Sequence, residues 1–226
     1  MSHAKTITGR LAYLRPDGPE WGQERLSVTQ HAHGRTYRSC MEMDGYDIHR
    51  EANWSMTLDG KPLEGFSRET EHGVTVAHNW YRIDGEAAEF ESFSVEKGRR
   101  SSRISARLPI GHLGLHVILS DCMVSAGRGL SDVGIEKPVI CLANSLDGYG
   151  RGATEAFFVE PLVTYHGTER IEVRAGIFDG EHFAVRWSDA VPKTSHFWVL
   201  KDWFIPLRLE GASDPVTYEL AELDLA

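Results

Sequence analysis

The sequence predicts an all-β protein: a large curved antiparallel sheet, a half-barrel or open barrel, with one long glycine-rich and partly helical insertion. Three observations predict it. Apolar and polar residues alternate in short runs through most of the chain, as half-buried strands require. Asp-Gly and Lys-Gly pairs separate several of these runs, where tight reversals need positive φ. Helical periodicity is scarce, and between Leu108 and Thr154 the glycines Gly111, Gly114, Gly127, Gly129, Gly134, Gly148, Gly150 and Gly152 interrupt any long element.

The strands follow in order. Arg25 to Ala32 sets Leu26 and Val28 on one face against Ser27, Thr29 and His31, and in the next run Tyr37, Ser39, Met41 and Met43 oppose Thr36, Arg38, Cys40 and Glu42. Trp54, Met56 and Leu58 alternate into Asp59-Gly60, Val74 to Ile83 runs into Asp84-Gly85, and Ala87 to Glu96 closes at Lys97-Gly98. After the glycine-rich stretch the pattern resumes with Phe157 to Tyr165, Arg170 to Val173, Glu181 to Trp187, Ser195 to Leu200, Pro206 to Glu210 and Thr217 to Leu223. A short helix is expected within Leu113 to Val124. So many strands in 226 residues, with no linker between them, make one domain over 1–226 with a lid-like insertion at about 108–154.

Composition narrows the partners. A formal net charge of -9 argues against a nucleic-acid backbone or an anionic membrane surface and fits a neutral or amphipathic small molecule better. The concave, aromatic-rich face makes an apolar or aromatic small molecule the expected partner. No run has the ~18 apolar residues of a membrane helix, and the amino terminus lacks the apolar core of a signal peptide, so a cytoplasmic location is expected. The three cysteines, Cys40, Cys122 and Cys141, lack C-x-x-C spacing, so reduced thiols are expected rather than a disulfide framework or a structural zinc site. The edges of a large sheet make a homodimer a reasonable expectation.

The segment Gly167-Thr168-Glu169-Arg170-Ile171-Glu172-Val173-Arg174-Ala175-Gly176-Ile177-Phe178, followed by His182-Phe183, resembles a motif of a broad group of bacterial β-sheet proteins. The tail from Phe197 to Asp202, with Pro206 to Glu210 and Tyr218 to Leu220, resembles the closing hairpin of that group. The resemblance covers about the last third of the chain. It implies a single curved antiparallel sheet akin to the periplasmic lipoprotein carriers, which hold acyl chains in the concavity, and to a cofactor-free enzyme of violacein biosynthesis. The absence of an export signal sets this chain apart from the carriers. The motif residues read as structural, with Gly176 permitting a turn that Phe178 anchors.

His112, His116 and Asp121 form the leading polar constellation, with the imidazoles one turn apart if the piece is helical, which Gly114 opposes. Leu113 stands where a zinc protease needs glutamate, so the H-E-x-x-H reading fails. Structural capping, proton transfer and metal binding rank in that order for the pair, and no metal is expected. Arg50 alternates with Tyr46, Ile48, Ala52 and Trp54 on an apolar face, where its charge needs an internal acid or a ligand. Arg38 in the neighbouring strand is a second candidate anchor if it points inward. His78 and Trp80 share a face with Val76, and Tyr81 follows; with Trp54 these are candidate ligand contacts, although core packing is the commoner role of such residues. Gly148 to Gly152 lacks the Gly-Lys-Ser/Thr of a phosphate loop, and neither a Gly-x-Ser-x-Gly elbow nor a dinucleotide fingerprint is present.

The functional expectation is cofactor-independent lyase, isomerase or cyclase chemistry on an apolar or aromatic molecule in the concave face. In it His112 or His116 moves a proton, Asp121 orients the imidazole, and Arg50 or Tyr81 polarises the substrate. The alternative is a non-catalytic cytoplasmic binding protein for a lipid-like or aromatic metabolite, and an interaction module with a filled interior is a third possibility.

Overall fold

A computed structural model of the chain describes residues 4–16, 19–145, 147, 150–151, 155–188, 193–211 and 216–225. The first half is a continuous meander: β1 (Lys5–Leu14), β2 (Glu20–Gln30), β3 (Gly34–Met43), β4 (Ile48–Thr57), β5 (Pro62–Glu71), β6 (Val74–Asp84), β7 (Ala87–Ser94) and β8 (Gly98–Ser105). The insertion holds β9 (His112–Leu113), the helical turns α1 (Ile118–Asp121) and α2 (Val124–Arg128), β10 (Glu136–Pro138) and β11 (Cys141–Ala143). The second half comprises β12 (Phe157–Val159), β13 (Leu162–Val173), β14 (Gly176–Arg186), β15 (Ser195–Leu200), β16 (Ile205–Glu210) and β17 (Thr217–Leu225).

Fourteen strands form one open antiparallel sheet in the order β10-β13-β14-β15-β16-β17-β1-β2-β3-β4-β5-β6-β7-β8. The two meanders join where β1 pairs with β17, Ile7 lying opposite Leu225 and Leu14 opposite Thr217. The chain therefore leaves the sheet at one edge, β8, and re-enters at the other, β10, before running on to β13. The stretch between β8 and β10 crosses the hollow of the curved sheet, and that crossing places β9, α1 and α2 inside. Arg99, Arg100 and Arg103 line the β8 edge, a charged guard against edge pairing.

The expected reversals occur where the glycine pairs stand, with φ of +86° at Gly60, +62° at Gly85 and +68° at Gly98. The stretch from Tyr165 to Trp187 is a long hairpin in which Val173 faces Gly176 across a two-residue turn. Gly176 has φ +135°, and the Phe178 ring lies against it.

Alternation builds the inner face. Ile7, Leu11 and Tyr13 on β1, Tyr37 and Met41 on β3, Phe183 and Val185 on β14, and Phe197 and Val199 on β15 are all buried. The insertion fills the hollow against them with Ile110, Leu113, Leu115, Val117, Leu119, Met123, Val124, Val139 and Leu142. Within the insertion 112–125 and 139–144 are packed inside, apart from partial exposure at His116 and Asp121, whereas 131–136 is exposed at the sheet edge; Gly148, Tyr149, Gly152 and Thr154 lie outside the described residues. Among the strands of the two meanders, β1, β5 and β8 lie outside the expected runs. β8 is exposed along most of its length, and β5 turns Gly65, Ser67 and Glu69 inward, so neither shows hydrophobic alternation.

Candidate functional site

The inner face is apolar over most of the sheet and polar under β4 to β7. Arg50 on β4, Ser67 and Glu69 on β5, Asn79 on β6, and Ser92 and Ser94 on β7 are all buried there. The insertion lays His112, Ser120, Ser125 and Asn144 into the interior as well. A buried polar group needs a partner, so each of these poses a question of satisfaction.

Arg50 is the central charge. Its Nη2 lies 3.2 Å from Glu69 Oε2, and its Nη1 donates to the main-chain oxygen of His116 at 2.7 Å. Arg50 thus has the internal acid that its position demanded. Burial still pushes the Glu69 carboxyl up, against the pull of Arg50, and Glu69 Oε1 has no partner among the described residues.

His112 and His116 come together without a helix. Gly111 and His112 donate to Ile140 O at 2.9 and 3.1 Å, and Gly114 donates to Leu142 O at 2.9 Å, which fixes β9 alongside β11. The chain then turns at His116, whose φ is +55°, before α1 begins at Ile118. Gly150 presses on the turn: a Cβ there would stand 2.5 Å from both Cβ and Cγ of His116, which accounts for a glycine at φ +74°. Burial pushes both imidazoles down to about 3, His112 further disfavoured by His116, and His116 by Arg50. Both rings are therefore neutral at pH 7.

Neither ring nitrogen of His112 has a hydrogen-bond partner among the described residues, nor has His116 Nε2. Tyr81 Oη and Asn144 Oδ1 are in the same condition. Tyr81 is fully buried, and burial raises its phenol well above the ordinary range, with the Asn144 side chain pulling it partly back. Asn144 acts on His116 as well, so Tyr81, His116 and Asn144 are neighbours. Trp187 lies 6.4 Å from His112, ring to ring.

Asp121 ends α1 and retains some accessible surface. Burial lifts its carboxyl to about 7, helped by the charge of Glu24 and opposed by Arg50. It does not orient His112, whose nitrogens are both unpartnered. The expected relay from Asp121 therefore has no hydrogen bond at His112.

The structure thus gathers His112, His116, Asp121, Arg50 and Tyr81 in one region, with Trp54 buried on the same inner face and stacked on Tyr37 at 5.2 Å. It separates the rest. Arg38, His78 and Trp80 project from the outer face, because burial falls on Tyr37 and Ser39 in β3 and on Ala77, Asn79 and Tyr81 in β6. His78 stacks on Phe93, and Trp80 is 38% exposed. The tryptophans divide too: Trp21 and Trp54 are buried, while Trp198 lies on the outer face over His182 at 4.4 Å.

Glu24 has no counterpart in the sequence reading. Fully buried on β2, it accepts from Tyr13 Oη at 2.9 Å, Ser39 Oγ at 2.7 Å, Ile118 N at 2.7 Å and Leu119 N at 3.0 Å. Burial lifts its carboxyl above the usual range and these four bonds hold it back. Val117, at the N-cap of α1, offers no side-chain cap, so a strand residue supplies one.

No protein-family model matches the chain, and no curated protein matches it significantly. Several solved structures share its shape, two of them as follows. One is a β-barrel-like protein of domain of unknown function DUF1849 from Brucella abortus, with TM-score 0.60 and 10% identity over 99% of this chain and 98% of that one. The other is a DUF1089 family protein from Pseudomonas aeruginosa, with TM-score 0.54 and 9% identity over 87% of this chain and 93% of that one. At such identities the likeness is one of fold, a large curved β-barrel-like sheet, and function must be argued from the site.

Proposed function

We propose that the chain binds a small molecule between the polar inner face of β4 to β6 and the insertion, the ligand presenting a hydrogen-bonding head to Tyr81, His112, His116 and Asn144 and an apolar or aromatic body to the surrounding core. One observation carries the reading: both ring nitrogens of His112, His116 Nε2, Tyr81 Oη, Asn144 Oδ1 and Glu69 Oε1 lack a partner of good hydrogen-bond geometry among the described residues, in one region next to Arg50 where the Asn144 side chain lies close to both Tyr81 and His116. An orphaned buried polar atom costs ~1–3 kcal/mol, and several in one place are kept where something external satisfies them. Neutral imidazoles suit the role, since each offers one donor and one acceptor.

The catalytic reading has its own observation in Asp121. A carboxyl at about 7 that keeps some accessible surface exchanges a proton at neutral pH, which imidazoles at about 3 do not. In a lyase, isomerase or cyclase reaction Asp121 would move the proton and the histidines would hold the substrate.

The test is native mass spectrometry of protein purified from its own host, followed by a thermal-shift screen of metabolites. The reading expects a bound organic molecule, or a hit whose affinity falls at least tenfold in Tyr81→Phe and His112→Asn, as loss of hydrogen bonds worth about 1.4 kcal/mol requires. Loss of turnover with retained affinity in Asp121→Asn would favour catalysis. An empty protein with no hit, or a ligand indifferent to both substitutions, would overturn the proposal.

A further inference from the structure

We propose that Cys40, Glu42 and His49 form a site for a divalent transition-metal ion of the Zn2+ type on the outer face of the sheet, away from the polar interior. The hairpin of β3 and β4 assembles it. Cys40 and Glu42 are two residues apart on β3 and so project to the same side, and register sets Glu42 directly opposite His49 on β4. One donor atom from each, a thiol sulfur, a carboxylate oxygen and an imidazole nitrogen, all fall within 4.8 Å of one another, and all three residues are half-buried.

The geometry suits zinc in detail. Cys40 Sγ lies 3.1 Å from His49 Nε2. Zinc bonds of ~2.3 Å to sulfur and ~2.0 Å to nitrogen at a tetrahedral angle would separate these donors by ~3.5 Å, an opening of ~0.4 Å that small side-chain rotations supply. Gln23 on β2 donates to Glu42 Oε2 at 2.7 Å, which orients the carboxylate and leaves Oε1 for a metal. Thiolate, imidazole and carboxylate together select a borderline-soft ion over Mg2+ or Ca2+. Three protein donors leave a fourth position for water, the ligand count of open zinc sites.

The local field agrees. The Cys40 thiol is held up first by burial and then by Glu42 and Glu51, with Arg25 opposing. Carboxylates that disfavour a bare thiolate favour a dication, and a bound dication would then deprotonate the sulfur. The other two thiols do not compete, since Cys122 is fully buried and Cys141 is 2% exposed.

The experiment titrates Co2+ into chelator-stripped full-length protein and follows the thiolate-to-cobalt charge-transfer absorption, with displacement by Zn2+. One equivalent is expected to bind with that band, and Zn2+ to remove it. Cys40→Ser should abolish the band, Glu42→Gln and His49→Gln should weaken binding by at least tenfold, and Gln23→Ala should weaken it roughly tenfold. Because the ligands sit outside the core, each variant should melt like the wild type without metal, and only the wild type should gain a full stabilisation from Zn2+. The proposal is overturned if the band is absent, if it survives in Cys40→Ser, or if His49→Gln and Glu42→Gln bind as the wild type does. None of these readings depends on whether the interior holds a small molecule.

Discussion

Arg50 donates through Nη1 to the main-chain oxygen of His116 at 2.7 Å, so a charge rooted in the sheet fixes the turn that carries the imidazole. The same guanidinium meets Glu69 at 3.2 Å with both side chains almost wholly buried. Removing one member of such a pair strands the other. Arg50→Met is expected to destabilise by about 3–5 kcal/mol in urea denaturation, whereas the double variant Arg50→Met, Glu69→Met should recover much of that loss. A double variant no better than the single one would show that the arginine acts on the His116 turn alone.

Protonation in the interior gives stability a pH dependence with two opposed parts. The imidazoles of His112 and His116 fall from the ordinary 6.5 to about 3 and so bind protons less readily folded than unfolded. The stability tied to them is present above pH 6.5 and is lost as pH falls toward about 3. Asp121 runs the other way, from 3.8 to about 7; its stability is present below pH 3.8 and is lost as pH rises through about 7. His112→Asn should therefore flatten the acid side of a stability-against-pH curve. Asp121→Asn should raise stability at pH 8 by on the order of 1–3 kcal/mol, because no buried charge then has to form. A loss of stability at pH 8 in Asp121→Asn would assign the carboxylate a structural partner.

The sheet was readable in the sequence wherever its buried side was apolar. Tyr37, Met41 and Met43 announced β3, and Val173 with Gly176 and Phe178 announced the β13–β14 hairpin, because period-two alternation and turn glycines report burial and reversal directly. The polar part of the inner face was not readable by the same means. Where Ser67 and Glu69 point inward, the pattern looks like a solvated strand. For His78 and Trp80 the period was right and the side was wrong, since alternation fixes which residues share a face and not which face is covered. Arg50 betrayed itself as a charge within an apolar series. Glu24 did not, because its partners at Ile118 and Leu119 are set by a crossing of the hollow that no local pattern encodes.

Glu24 ties the insertion to the sheet through hydrogen bonds from the first amide groups of α1. Glu24→Gln keeps the shape but replaces one acceptor oxygen by a donor, which then faces an N–H or a hydroxyl. A destabilisation of about 1.5–3 kcal/mol is expected. Hydrogen exchange should quicken at Leu119 and its neighbours before it quickens in β1 or β3. Uniform acceleration throughout would mean that insertion and sheet open only together.

Gly150 leaves no room beside His116. An alanine there must adopt φ near +74° and set its Cβ 2.5 Å from both Cβ and Cγ of His116. Gly150→Ala should lose about 1–3 kcal/mol, the usual strain at such a position, and should shift the ring resonances of His116 in NMR spectra while sparing those of His78 on the outer face. Unchanged His116 resonances would show that the segment around 150 yields instead of the histidine.

Tyr81 separates a ligand site from a structural network. Its hydroxyl is fully buried with no hydrogen-bond partner among the described residues, and its phenol is pushed well above the ordinary range, so it stays protonated at any working pH. If the hydroxyl served folding, Tyr81→Phe would cost about 0.5–1.5 kcal/mol, the usual net value of a buried hydrogen bond. An orphaned hydroxyl predicts the reverse, because removing it relieves a desolvation penalty and leaves the ring packed against Phe90 at 5.0 Å. Tyr81→Phe is therefore expected to match or exceed the wild type in stability by up to about 1 kcal/mol, while losing affinity for whatever the thermal-shift screen identifies. Denaturation and binding measured on the same variant decide the matter: stability kept and affinity lost assigns the hydroxyl to a ligand, and stability lost assigns it to the fold.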